Sequence, residues 1–237
     1  MLRLRFEGRL ARLAGGAERV IELGEPRSVK DAVESVGVPH TEIGRIRVGG
    51  DDVGFDALLS DEAEVAVWPS GSMSDPAPLD PAPRPARFVC DVHLGRLAER
   101  LRLLGFDTRY RNDLEDDELV EIAADDARWL LTRDRRLLMR AAVTHGCLVR
   151  TTDPDEQAVE VAQRFDLARE ASPFSRCLRC NGLLEEVAKA AIEHRLQPGT
   201  RRDHDEFVRC RDCERLYWPG SHRGPLEAFV SEILDGD

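Results

Sequence analysis

Two groups of residues in this 237-residue chain have the types and spacing to do chemistry. One is a set of four cysteines near the end, and the other is a series of aspartates that follow apolar runs in the middle. Cys177-Leu178-Arg179-Cys180 and Cys210-Arg211-Asp212-Cys213 are two C-x-x-C knuckles. Each knuckle places two thiolates on a tight turn, and four sulfurs at about 2.3 Å fill the tetrahedral shell of one zinc ion. No position is left for a substrate, so the site is structural, the metal standing in for a core that so short a segment cannot assemble alone. The 29 residues between the knuckles exceed the usual spacing of about 15 to 20, so an excursion is inserted there. Disulfide pairing is the other use of such cysteines. The chain has no charged-then-apolar leader and no apolar run near membrane-spanning length, which points to a cytoplasmic protein with no membrane partner, where thiols bind zinc. Cys90 and Cys147 lie in apolar, strand-like runs and read as buried, inert thiols.

The acids fall at a different kind of place. Asp91 follows Phe88-Val89-Cys90, Asp134 follows Trp129-Leu130-Leu131-Thr132-Arg133, and Asp153 follows the run from Cys147 to Thr152. Asp116-Asp117-Glu118 opens a helix after the second strand. Carboxylates gathered at one edge of a sheet repel one another unless a cation sits among them, and hard oxygen ligands suit Mg2+ or Mn2+. Such ions generate hydroxide and neutralise a phosphodiester under in-line attack. Bland roles compete with this one. Asp116 would serve as an N-cap, Asp117 and Glu118 suit a first helical turn, and Asp153 before Pro154 suits a turn. Asp91 and Asp134, each ending an apolar strand, are the two acids assigned to the divalent ion.

Net charge is −11, with no basic tail, so binding to a polyanion must rest on local clusters. Of the 34 cations 32 are arginine, whose fork holds phosphates. Arg133, Arg135 and Arg136 flank Asp134, and Arg209, Arg211 and Arg215 surround the second knuckle. His222 is a further candidate for substrate contact.

Elements must position these groups. Leu2–Phe6 alternates as a strand, Arg19–Leu23 gives a second after a polar, Gly-containing turn, and Ser28 caps a helix through Ser35 that stops before Gly37. Ile46–Val48 and Glu64–Trp68 complete a β-β-α-β-β order over residues 1–69. The stretch from Pro69 to Ala86 holds six of the 13 prolines, so residues 70–86 form a linker. Extended, it spans roughly 50 Å at about 3.1 Å per residue, which predicts weak contact between its two sides. From Arg87 strands and helices alternate. The strands are Phe88–Cys90, Thr108–Tyr110, Trp129–Thr132 and Cys147–Arg150; the helices are His93–Leu104, Asp117–Asp125, Arg135–Val143 and Asp155–Phe165. Short apolar strands between helices imply α/β architecture, a parallel sheet covered on both faces with ligands at the carboxyl ends of its strands.

The order within residues 1–69, with Val36-Gly37-Val38-Pro39-His40-Thr41-Glu42, resembles the β-grasp fold of ubiquitin-like sulfur carriers. Those act through a free Gly-Gly end, whereas Trp68-Pro69-Ser70-Gly71 runs on into the linker; the unit reads as a docking or specificity module for a protein partner. Residues 87–223 resemble the C-terminal ribonuclease domain of the Mut-seven family, a zinc-bearing branch of the PIN-like nucleases. The matching runs are Phe88–Asp91, Leu97–Asp107, Asp116–Leu119, Leu130–Asp134, Cys177–Gly182 and Tyr217–His222. The resemblance implies a PIN-like three-layer core over 87–171, a zinc ribbon over 172–237, and a catalytic set at Asp91, Asp116 or Asp117, and Asp134, with Asp153 weaker. It also implies an RNA substrate, tRNA or another structured RNA by fold-level analogy. A haloacid-type phosphatase would need an acid where His93 stands. The competing function is a non-catalytic adaptor that binds RNA or protein around a degenerate nuclease core.

Overall fold

A computed structural model describes residues 1–70, 79, 85–220 and 223–235. Most of the proline-rich stretch therefore lies outside the described residues, as does His222. No helix among the described residues is long and apolar enough to cross a membrane.

The first segment is a β-grasp. Strands β1 (Leu2–Phe6), β2 (Glu18–Ile21), β4 (Ile43–Val48), β5 (Asp51–Asp52) and β7 (Glu64–Pro69) form one sheet in the order β2-β1-β7-β4-β5. A separate short ribbon pairs β3 (Arg27–Ser28) with β6 (Leu58–Leu59). β1 runs antiparallel to β2 and parallel to β7, with Leu4 opposite Val65. Its alternation puts Leu2, Leu4 and Phe6 in the core and Arg3 and Arg5 outside. Helix α2 (Val29–Ser35) starts where Ser28 accepts the Asp31 N–H at 3.1 Å and buries Val29, Ala32 and Val33. Helix α1 (Leu10–Ala14), read from sequence as part of a turn, buries Leu10, Leu13 and Ala14 at helical spacing and ends on Gly15 at φ 73°.

The α/β core follows. It contains β8 (Phe88–Cys90), α3 (Gly95–Leu103), β9 (Thr108–Arg109), α4 (Asp116–Asp125), β10 (Trp129–Thr132), α5 (Arg135–Leu138), β11 (Gly146–Leu148) and α6 (Pro154–Phe165). β8 pairs with β9 and β10 with β11, all in parallel. Every residue of β8, β10 and β11 is buried, as in strands covered on both faces. Phe88 meets Phe106 and Phe165 edge-on, at centroid distances of 6.1 and 5.6 Å. Helix α5 ends at Leu138 rather than Val143, and the Val143 carbonyl is instead 2.8 Å from Nε2 of His40.

That contact belongs to a set that departs from the weak association expected across the linker. Glu42 Oε1 accepts the Leu148 N–H at 2.7 Å, and Arg135 Nη1 donates to the Leu13 carbonyl at 3.3 Å. By compactness the chain divides into Met1–Arg84 with Asp113–Arg150, and Pro85–Asn112 with Thr151–Asp237.

The last segment is a three-stranded antiparallel ribbon of β12 (Leu184–Glu186), β13 (Val208–Cys210) and β14 (Leu216–Tyr217). Between β12 and β13 lie α7 (Lys189–Ile192) and α8 (Pro198–Asp203), the excursion implied by the wide knuckle spacing. Ile192, Leu196 and Phe207 give it a small core of its own, packed by Val187 and Leu216. Helix α9 (Arg223–Asp235) closes the described chain.

Candidate active site and metal centre

Asp91 comes directly after β8, where its carbonyl accepts the Leu94 N–H at 2.9 Å and its residue is 8% exposed. The Tyr110 hydroxyl donates to the neighbouring Val92 carbonyl at 3.0 Å, and burial foremost raises the phenol above its usual pKa. Asp153, in the same compact unit, is the N-cap of α6: Oδ1 accepts the N–H groups of Asp155 and Glu156 at 2.9 and 3.1 Å, with Pro154 in the first helical turn. Its geometry is that of the turn role the sequence offered.

Asp116, Asp117 and Asp134 lie in the other unit. Asp134 follows β10 by two residues and caps α5, Oδ1 accepting the Arg136 N–H at 2.7 Å. Its own N–H donates to Thr132 Oγ1 at 2.9 Å. Its second carboxylate oxygen has no hydrogen-bond partner among the described residues, and the residue is exposed. Asp116 is not the N-cap of α4. Glu115 holds that position and forms a reciprocal capping box with Glu118, which leaves Asp116 and Asp117 in the exposed first turn. Asp117 pairs with Arg140 at 2.6 Å, whereas Asp116 has no ion pair among the described residues.

Arg133 and Arg136 are exposed and make no ion pair among the described residues. Arg135 differs, its guanidinium being directed to Leu13. Around the second knuckle, Arg209 and Arg211 share Glu185 at 2.7 and 3.2 Å, which leaves Arg215 as the exposed cation there without an ion pair among the described residues.

The four knuckle cysteines converge. Their sulfurs all lie within 4.8 Å of one another, with Cys177 to Cys213 at 3.7 Å and Cys180 to Cys210 at 3.4 Å. A tetrahedron of about 2.3 Å metal–sulfur bonds has edges of about 3.8 Å, so the donor set fits one thiophilic cation. All four are free thiols, as are the buried Cys90 and Cys147. The two knuckles repeat one backbone pattern. Asn181 N–H donates to the Cys177 carbonyl at 2.9 Å and Glu214 N–H to the Cys210 carbonyl at 3.0 Å. Both residues sit in the left-handed region, at φ 72° and 55°. Burial raises the Cys177 thiol, but bonds from the Tyr217 hydroxyl and the N–H groups of Cys180 and Arg179 outweigh it and bring the pKa to about 6. Burial and the neighbouring thiols push Cys180 up to about 12. One thiolate forms readily while burial foremost raises Cys180 and Cys210, the behaviour of clustered sulfurs that a cation would relieve.

Three supports of this centre were not apparent from spacing. Arg102, 3% exposed, donates from Nη1 to the carbonyls of Leu178 and Arg179 at 2.9 and 3.0 Å, and from Nε to that of Thr108. Asn181 donates to Asp107 at 2.7 Å and accepts the Thr108 N–H at 3.0 Å. Gly182 is required, since a Cβ there would lie 2.4 Å from an Asp212 carboxylate oxygen and 2.9 Å from the Cys210 sulfur. Asn181 and Gly182 stood in the run Cys177–Gly182, but nothing local set Arg102, the buried one of the three arginines on α3, apart from Arg96 and Arg100.

A β-grasp sheet, a parallel α/β core with acids closing its strands, and a four-thiol ribbon together define the architecture of this chain. The Mut7-C RNAse domain matches residues 86–230 and the Mut7-C ubiquitin domain residues 8–75. The chain belongs to the Mut7-C RNAse domain family. It is 38% identical over 111 residues to the human exonuclease mut-7 homolog, a match that takes in 44% of this chain but 13% of that protein's length. Among solved structures, it is similar to a molybdopterin converting factor subunit 1 from Pyrococcus furiosus, at 28% identity and TM-score 0.25 over 29% of this chain and 94% of that one. Small archaeal modifier protein 1 of Haloferax volcanii gives 17% identity and TM-score 0.25 over 29% and 94%.

Proposed function

We propose that this chain is a divalent-metal-dependent ribonuclease whose ligand set is Asp91 and Asp134 with one of the Asp116–Asp117 pair. The observation that carries the reading is the placement of Asp91 and Asp134, each just past the carboxyl end of a fully buried parallel strand within the family's RNase domain. Hard carboxylate oxygens suit Mg2+ or Mn2+, which would supply a hydroxide at neutral pH and offset charge on the phosphate. The protein's share is positional. Thr132 Oγ1 fixes the Asp134 backbone, the α5 cap fixes one of its oxygens, and the second stays available. Asp116 is favoured over Asp117 as the third acid because Asp117 is engaged by Arg140. Asp153, committed to its cap, has the lesser part.

Arg133 and Arg136 are the cations proposed to hold the RNA backbone, with Arg135 and His222 secondary. The four cysteines hold a structural Zn2+. Six free thiols suit a reducing compartment, and we read the protein as cytoplasmic. A structured RNA such as tRNA is the proposed substrate, and the β-grasp segment the proposed contact for a protein partner.

The test is incubation of the purified full chain with total RNA and with a short unstructured oligonucleotide, in Mn2+, Mg2+ or chelator, followed by end mapping. Cleavage that needs the metal supports the reading. Tight RNA binding with no cleavage under any metal would favour the adaptor.

A further inference from the structure

Among the described residues strand β11 is an outer strand of the parallel sheet, hydrogen-bonded on one side to β10. An outer strand presents N–H groups with no strand to accept them, and proteins cover such edges. Here the acceptor comes from the β-grasp segment. Its turn His40-Thr41-Glu42 is buried, with Glu42 1% exposed, and Oε1 of Glu42 takes the Leu148 N–H at 2.7 Å. The other carboxylate oxygen is held by Arg9 Nε at 3.3 Å, and the Glu42 carbonyl accepts the Ser70 N–H at 2.8 Å. Two residues earlier in the same turn, His40 Nε2 lies 2.8 Å from the Val143 carbonyl while Nδ1 lies 2.7 Å from Glu34. Gly146 at the start of β11 leaves room for close packing: a Cβ there would fall 2.5 Å from Leu138 Cδ2 and 3.3 Å from Thr41 Oγ1 of the turn.

We propose that the His40–Glu42 turn is an intramolecular clamp that takes the place of a further strand at the edge of the nuclease sheet, making Glu42 a positioning residue for Asp134. The connection runs through backbone. Leu148, held by Glu42, lies opposite Thr132 in the β10–β11 register, and the next residue, Val149, donates its N–H to the Thr132 carbonyl at 2.8 Å. Thr132 Oγ1 in turn receives the Asp134 N–H. A carboxylate seated in the β-grasp thus fixes the strand pair from which the nuclease acid projects. The partner of this surface is the chain's own sheet edge. A buried carboxylate accepting a backbone N–H is a charge-assisted bond, stronger than one between neutral groups.

The consequence for catalysis rests on the ribonuclease reading above; the clamp itself is tested without any activity. In the full-length protein, amide hydrogen exchange is followed at residues 146–149, with the β1 amides as internal control. Glu42→Ala should speed exchange at Leu148 and Val149 by about tenfold or more while β1 stays protected. Glu42→Gln, which keeps an oxygen for the Leu148 N–H, should restore most of the protection. If Glu42→Ala unfolds β1 as well, His40→Phe decides. It removes the Val143 bond but keeps an aromatic ring beside Phe55, and it should loosen the same four residues. Protection at 146–149 equal to wild type in Glu42→Ala, or in His40→Phe where that variant is needed, would overturn the clamp. In a second arm, cleavage of a short oligonucleotide by Glu42→Ala should show a lowered kcat with unchanged KM, rescued in Glu42→Gln. Loosened exchange with kcat unchanged would remove the positioning role and leave the clamp a structural contact.

Discussion

Asp134 serves as both a helix cap and a proposed metal ligand, and substitution separates the two roles. Asparagine caps as well as aspartate does, so Asp134→Asn should keep stability within about 0.5 kcal/mol, whereas Asp134→Ala should lose about 1 kcal/mol in chemical denaturation. Both should lose cleavage. Asp116→Asn should cost more activity than Asp117→Asn, because Asp117 is tied to Arg140; the reverse order in single-turnover assays would reassign the third acid. At the knuckles, Cys210→Ser should lower zinc from about one per chain towards none by elemental analysis and unravel β12–β14, since the metal contributes folding free energy directly. The cysteine centre was legible because four soft donors at C-x-x-C spacing have few other uses. Arg102 and Asn181 were not, because their work is to hold carbonyls and a carboxylate some seventy positions away in sequence, which no local pattern records.

At the scale of elements, the strands β1, β8 and β10 and the helices α2 and α6 fall where alternation, caps and prolines place them. Errors occur where tertiary contacts decide. Helix α1 is too short for periodicity to separate it from a turn, and the α5 helix stops early as Val143 turns its carbonyl to His40. The start of α4 is a subtler case: any of three consecutive acids could cap it, and reciprocal bonding with Glu118 selects Glu115. Glu115→Ala should therefore destabilise by about 1 kcal/mol without affecting catalysis directly. Gly105 ends the turn after α3 at φ 95°, and a Cβ there would lie 2.1 Å from the Ser172 carbonyl oxygen. Gly105→Ala should cost about 3 kcal/mol or more, seen as a lower denaturant midpoint with an unchanged slope.

Over the whole molecule, a β-grasp, an α/β core and a four-cysteine ribbon were legible in order, the first two from their rhythms of apolar residues and the last from its C-x-x-C spacing. The proline-rich stretch suggested independence on its two sides, yet Glu42, His40 and Arg135 bond across that division of the sequence. A linker's composition sets its reach but says nothing about which surfaces meet once it folds back. The central claim remains the acid-held divalent ion, and one comparison tests it most directly: RNA cleavage by the full chain against Asp91→Asn and Asp134→Asn, in Mn2+ and in excess chelator. The metal contributes several kcal/mol of transition-state stabilisation, and each roughly 1.4 kcal/mol is tenfold in rate. The account predicts a drop of several orders of magnitude in both variants, matched by chelation of the wild type, with metal-free melting no lower than wild type. Wild-type rates in either variant, or cleavage undiminished by chelator, would contradict it.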